Sequence, residues 1–347
     1  MMLEGEGGAG MASLSKRRLW AGAFTGFYRP GVEEVTDLDV VSRFLYAARS
    51  VILVISAQAA IIAGLLAANA GRFAWPEFLG VLTGFVVAHM ISNLSNDYFG
   101  FKRGHDTPDS PRMRYTIHPL ASGVLDRRTL VTGLAILGAA GVAIMLAFIA
   151  ERGLVAAAFA GAGVALLLLY DAAPVPLKSI GLGELATFLV WGPLMIGGGY
   201  AMITGELGAG AFAASIPYGL GVMSILTGKH IDQMAFDSGK GIRTLPVVIG
   251  ERAARILVIA AILAMYAIVA ALIALGALTP FAAAVVVAAP RALRALAVMS
   301  RPRPAAPPQG YVGWPLWFHR ACLGHNRLFG WAYIGGLAAG AALRTFS

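Results

Sequence analysis

Charge is what this chain has least of. Asp, Glu, Lys and Arg make up 13% of its 347 residues against 58% hydrophobic ones, and the mean hydropathy is +0.73. A soluble globular domain carries about 25% charged residues, so a surface that faces water on all sides is excluded. Cysteine is almost missing. Cys322 stands alone, which rules out an intrachain disulfide framework and gives no sign of an oxidising compartment. A cleavable signal is also lacking: the apolar stretch after Lys16, Arg17 and Arg18 is short and broken by Arg29 and Pro30. Glu4 and Glu6 spoil the basic, serine-containing start of an organellar transit segment, so the expected location is a prokaryotic cytoplasmic (inner) membrane. In so apolar a chain, the net charge of +9 points to basic loops beside anionic lipid and not to nucleic acid.

Long apolar runs are what the chain has in abundance. Nine are read, at about 50–70, 78–96, 129–149, 153–170, 185–203, 211–228, 256–275, 279–298 and 328–343. Most are long enough to cross a hydrocarbon core of roughly 30 Å as helix. The fold class is all-α: a polytopic membrane protein with nine transmembrane helices. The expected organisation is a cytoplasmic extension, 1–45, and one transmembrane domain, 46–347, with active-site loops at about 93–128 and 229–252. Of the 27 Lys and Arg, only Arg72, Arg152 and Arg344 fall on the side opposite the N-terminus. The positive-inside rule therefore places the N-terminus in the cytoplasm and the C-terminus outside. The stretch RPRPAAPPQGYVGWP, 301–315, reads as a linker, followed by Trp317 and Phe318 which, with Trp314, serve as interfacial anchors.

The polar residues are concentrated in two places. The first is ISNLSNDYFGFKRGHDTPDSPRMR, residues 91–114. His89, Asn93 and Asp97 recur every fourth residue and share one helix face, with Ser92 and Asn96 beside it. Interhelical hydrogen bonding accounts for His89. It does not account for Asn93 and Asp97 followed by Asp106 and Asp109, with Lys102, Arg103, Arg112 and Arg114 interleaved. The second is GKHIDQMAFDSGKGIRTLP, 228–246, with Asp232 and Asp237 among Lys229, Lys240 and Arg243. Carboxylates in this number suit Mg²⁺, a hard cation that shares its shell with substrate phosphates. The interleaved cations suit the phosphates themselves. Both clusters fall on the cytoplasmic side, so a cavity opening there and holding a diphosphate is expected.

NLSNDYFGFKRGHD and DQMAFDSGKGIRTLPV together resemble the two Asp-rich motifs of the UbiA family of intramembrane prenyltransferases, over about 50–300. Within that family the chain is most similar to the dihydroxynaphthoate polyprenyltransferase branch of menaquinone biosynthesis. The carriers are the NDY triplet and the connection YDAAPVPLKSIGLGE, 170–184. In this branch Gly100 stands where a carboxylate is common, which leaves Asp106 to complete the metal site, and His118 stands where a basic residue is expected. Asp232 and Asp237 are five apart where the family pair is four apart. On a regular helix their side chains would diverge by roughly 140°.

The resemblance implies Mg²⁺-dependent transfer of a polyprenyl group from an allylic polyprenyl diphosphate to an aromatic acceptor, 1,4-dihydroxy-2-naphthoate. It implies metal ligation by Asn93, Asp97, Asp106, Asp232 and Asp237. Lys102, Arg114, Lys178, Lys229, Lys240 and Arg243 would hold the diphosphate, and Tyr170 and Asp171 would orient or deprotonate the acceptor. Phe188, Trp191 and Tyr200 are candidates for stabilising an allylic cation through their π faces, although core packing explains such spacing as well. Two other readings stand beside this one. The first is the same fold acting on another lipid or isoprenoid acceptor. The second is an ion-coupled transporter, with Pro193 and Pro217 breaking helices near the membrane midplane.

Overall fold

The computed structural model describes residues 31–311 and 313–346. Lys16, Arg17, Arg18 and Arg29, used above for orientation, and residues 1–30 of the expected extension lie outside the described residues. Those described are helical, with no strand among them. Two short helices, α1 (Val32–Thr36) and α2 (Val40–Ala47), precede α3 (Ser50–Asn69) and α4 (Trp75–Lys102). The short α5 (Pro111–Tyr115) leads to α6 (Arg127–Arg152) and α7 (Leu154–Asp171). Then come α8 (Gly183–Thr204), α9 (Ala209–Gly239), α10 (Leu245–Ile249), α11 (Glu251–Ala274), α12 (Pro280–Met299) and α13 (Phe318–Phe346).

Among the described residues, eight helices are long and apolar enough to cross a membrane: α3, α4, α6, α7, α8, α9, α11 and α12. They coincide with the first eight apolar runs. The ninth run lies within α13, whose glycines and aromatics leave it less apolar. Backbone polar groups cannot face hydrocarbon unpaired, and helices satisfy them internally. Exposed Val131, Ile136, Val142 and Leu146 along α6 are the side chains such a helix turns to lipid.

The chain packs as two compact units, 31–54 with 87–140, and 55–86 with 141–346. In the second unit α9 is the central helix, packed against α8, α11 and α13 and buried along most of its length. Small residues let it approach its neighbours. A Cβ on Gly219 would lie 3.0 Å from both Gly192 Cα and the Phe188 carbonyl oxygen, the close contact that glycine permits between membrane helices. Pro193 sits in a π-helical stretch, Val190–Gly197, which absorbs the hydrogen bond that proline cannot make. Pro217 is buried inside an unbroken α9. Neither proline breaks its helix.

The contact of α13 with the 3₁₀ half of α12 (Pro280–Ala288) is equally tight. A Cβ on Gly336 would lie 2.9 Å from Ala282 Cα and closer still to the Phe281 carbonyl oxygen, and neither backbone atom can step aside. Gly335, its neighbour, has open space. Gly336→Ala should therefore lower stability by about 1–3 kcal/mol, read by chemical unfolding in micelles. Gly335→Ala should match or exceed the parent.

Candidate active site

Both polar clusters begin on helix, not loop. α4 runs on through Lys102 and α9 through Gly239, so the expected 93–128 and 229–252 loops start as regular helix.

In the first unit, Asp97 is 1% exposed and clamped by two guanidinium groups. Arg112 donates from Nε to Oδ1 at 3.1 Å and from Nη2 to Oδ2 at 2.8 Å, and Arg49 pairs with Oδ1. Arg49 is the one non-glycine among the described residues with positive φ, 59°. It sits at the bend between α2 and α3, in a conformation that costs on the order of 1–3 kcal/mol. Asn93, one turn before Asp97, donates to the Ala48 carbonyl at 2.9 Å and so fixes that bend. Its amide is thus used on the backbone that aims Arg49 at Asp97.

Asp106 reaches the same place from the loop after α4. Gly104, at φ 69°, turns the chain, and the N–H groups of His105 and Asp106 both return to the Gly100 carbonyl, at 3.0 and 3.3 Å. The Asp106 carboxylate then lies directly over Gly100. His118, buried, approaches Asp106 Oδ2 through Nε2 at 3.3 Å. Oxygens of Asp97 and Asp106 and a ring nitrogen of His118 all lie within 4.8 Å of one another, which puts two carboxylates close enough to share a divalent cation. Lys102 and Arg114 are exposed nearby in sequence, and Arg103 lies over the Phe99 ring at 5.3 Å.

In the second unit the two acids part, as their spacing demands on an unbroken helix. Asp232 is buried and accepts the N–H groups of Phe318 and His319 at 3.1 and 3.0 Å, the opening residues of α13. Its own carbonyl accepts from Arg303 Nη1 at 3.0 Å. Asp232 thus caps α13, where four backbone N–H groups have no partner inside the helix. Asp237, also buried, faces Thr244 Oγ1 at 3.5 Å, with Lys229 and Lys178 acting on it electrostatically. Lys178 is paired with buried Asp171. Arg243 N–H donates to the Ser179 carbonyl at 3.2 Å and so ties the loop after α9 to the 3₁₀ turn that carries Lys178. Tyr170 is half-buried beside Gly183, and the exposed Lys240 lies over the Phe236 ring at 5.6 Å.

Of the three aromatics, Tyr200 packs with Phe78, Phe85 and Phe159 around a core of alanines and Ile203. Trp191 donates from Nε1 to Ser56 Oγ at 3.2 Å, and Phe188 is half-buried. A buried pair that sequence reasoning did not single out joins Glu184, from the GLGE connection, to His230 Nδ1 at 2.7 Å. The two guanidinium groups on Asp97, Arg49 and Arg112, likewise belong to no side-chain motif.

The UbiA prenyltransferase family matches residues 57–322. The chain is 27% identical to 1,4-dihydroxy-2-naphthoate octaprenyltransferase of Bacillus subtilis over 228 residues, 63% of this chain and 70% of that protein. Solved structures share the fold, among them two UbiA homologues. A UbiA homologue from Aeropyrum pernix superposes with TM-score 0.60 at 17% identity, covering 84% of this chain and 98% of that one. A UbiA homologue from Archaeoglobus fulgidus bound to GPP and Mg²⁺ gives 0.56 at 15%, covering 85% and 99%.

Proposed function

Because the chain belongs to the UbiA prenyltransferase family, we propose that it carries out Mg²⁺-dependent transfer of a polyprenyl group from an allylic polyprenyl diphosphate to 1,4-dihydroxy-2-naphthoate. That it is an integral membrane prenyltransferase follows from family and helices alike, and the family match leaves no ground for the transporter reading. The acceptor rests on the Bacillus relative, and the metal on the Archaeoglobus neighbour together with the approach of the Asp97 and Asp106 carboxylates, whose oxygens come within 4.8 Å of each other. That approach is the observation that carries the reading.

Asp97 and Asp106 are the proposed metal ligands of the first motif, with Asn93 holding the bend beside them. When bound, Mg²⁺ supplies positive charge to the diphosphate oxygens as the bond to the prenyl carbon breaks. Arg49 and Arg112 bring two positive charges to the single carboxylate of Asp97, so phosphate oxygens entering the site would meet an excess of positive charge. Lys102 and Arg114 are the outer cations of this motif. In the second motif, Asp237 is the carboxylate left to face a cation, while Lys178, Lys229, Lys240 and Arg243 are the cations for phosphate. Tyr170 and Asp171 remain the proposed acceptor-orienting pair.

The chemistry balances without an added base. The C1–O bond breaks with its electron pair going to diphosphate, and the acceptor ring carbon that bears the carboxylate bonds to C1. The acceptor's carboxylate then leaves as CO₂, returning its electron pair to the ring. Apolar surroundings keep water from the allylic carbon. We further propose that α13 is the ninth span, with the N-terminus cytoplasmic, the C-terminus outside, and the site in the inner membrane.

Purified protein in micelles, given a labelled allylic polyprenyl diphosphate, Mg²⁺ and dihydroxynaphthoate, should yield prenylated naphthoquinol and CO₂ in equal amounts. A product formed only with another hydroxyaromatic or lipid acceptor would keep the reaction and replace the acceptor.

A further inference from the structure

The first motif holds three features that the roles above leave unused: the bare face of Gly100, the tautomer of His118, and the loop that brings Asp106 between them. A methyl group built on Gly100 would fall inside the van der Waals envelope of Asp106 Oδ2, with Asp106 Cγ 3.0 Å away. The loop carboxylate therefore occupies the volume that a side chain at position 100 of α4 would fill. It is held there on both sides. Its N–H donates to the Gly100 carbonyl at 3.3 Å, and its Oδ2 meets His118 Nε2.

The Ala121 N–H donates to His118 Nδ1 at 3.3 Å, so Nδ1 presents its lone pair and the proton sits on Nε2, facing Asp106. A histidine whose Nε2 carries its proton donates a hydrogen bond and does not ligate a metal through that atom. Its ring is 0% exposed and lies against Phe101, centroids 5.8 Å apart, so it has little freedom to turn.

We propose that His118 is a positioning residue and Gly100 a required gap. Together they let a carboxylate from the loop, Asp106, serve as a metal ligand where a residue at position 100 of the helix would otherwise stand. This rests on the proposed divalent-cation role of the first motif. The place of the carboxylate, and not its position in the chain, then decides metal binding. Orienting partners of metal ligands are typically worth about 10–100-fold in affinity.

The test is a Mn²⁺ titration of the full-length protein in micelles with inorganic pyrophosphate, followed by the electron paramagnetic resonance of bound Mn²⁺. Gly100→Ala and Asp106→Gly should each weaken binding by about tenfold or more. The double change Gly100→Asp with Asp106→Gly, which moves the carboxylate onto the helix, should return it to within a few-fold of the parent. His118→Leu should match the single losses, whereas His118→Gln, whose amide N–H can take the place of Nε2–H, should retain most of the affinity. Thermal melts identify any variant that fails to fold, and the double change and His118→Gln are the arms in which binding must return. If the parent binds Mn²⁺ and Gly100→Ala and His118→Leu bind it equally well, the positioning assignment is overturned while the metal reading stands. If the parent holds no Mn²⁺, the metal reading itself falls.

Discussion

Asp97→Asn is expected to lower prenyl transfer by about 10²–10³-fold, the scale seen when one preorganised electrostatic contact is removed, and to destabilise the chain as a separate effect. Asp97 is 1% exposed and answers two guanidinium groups. Asparagine keeps the shape but not the charge, and leaves Arg49 and Arg112, with side chains 16% and 9% exposed, facing no anion at that position. Removing one partner of a buried pair costs about 3–5 kcal/mol, and the partial exposure of Arg49 puts the expected loss near the lower end. The two effects separate in Asp97→Asn with Arg112→Gln. Taking away one stranded cation should recover a good part of the stability in chemical unfolding and none of the activity. If Asp97→Asn is as stable as the parent, the clamp is not the electrostatic centre of this unit. If the double variant regains activity, Asp97 has no part in the chemistry.

Asp232→Ala is expected to act on structure where Asp237→Ala acts on catalysis, although both acids belong to one motif. The Asp232 carboxyl group accepts the N–H groups of Phe318 and His319 at the start of a 29-residue helix. Losing a helix cap costs about 0.5–2 kcal/mol, and the upper half of that range is expected where two N–H groups, one of them fully buried, lose their acceptor together. Hydrogen exchange should quicken at 318–321, with Asp232→Asn, which keeps one acceptor oxygen, falling in between. Asp237→Ala should leave that protection and the melting temperature close to the parent while activity drops. A contrary result is equally readable: unchanged exchange at 318–321 in Asp232→Ala, with loss of pyrophosphate-dependent Mn²⁺ binding, would return Asp232 to the metal.

The fold was legible because its signal is local. Runs of about 20 apolar residues have few other uses, and the eight long helices α3, α4, α6, α7, α8, α9, α11 and α12 fall where those runs lie. Asp97 was legible for a similar reason, as a polar stripe recurring every four residues needs no partner to be seen. What the sequence concealed depends on closure over distance. Asp232 reads as one of a ligand pair, yet its partners are backbone N–H groups at 318 and 319, invisible to any side-chain motif. The five-residue spacing of Asp232 and Asp237 was the available clue, since an unbroken helix sends the two apart. Arg49 gives no signal in the sequence, because only the bend at Ala48 and the positive φ aim it at Asp97. Glu184 and His230 come from separate helices, and no periodicity links them. Pro193 suggested a broken helix, whereas the backbone widened to π geometry and continued.

This chain is expected to ionise an allylic diphosphate with the help of a divalent cation held by the first motif. The most direct measurement is the release of diphosphate from a labelled allylic polyprenyl diphosphate by purified protein, with acceptor present, comparing Mg²⁺ with EDTA and the parent with Asp97→Asn. Release that requires Mg²⁺ and is lost in Asp97→Asn is the predicted result. Release that proceeds equally in EDTA, or a folded parent that never releases diphosphate, would contradict it.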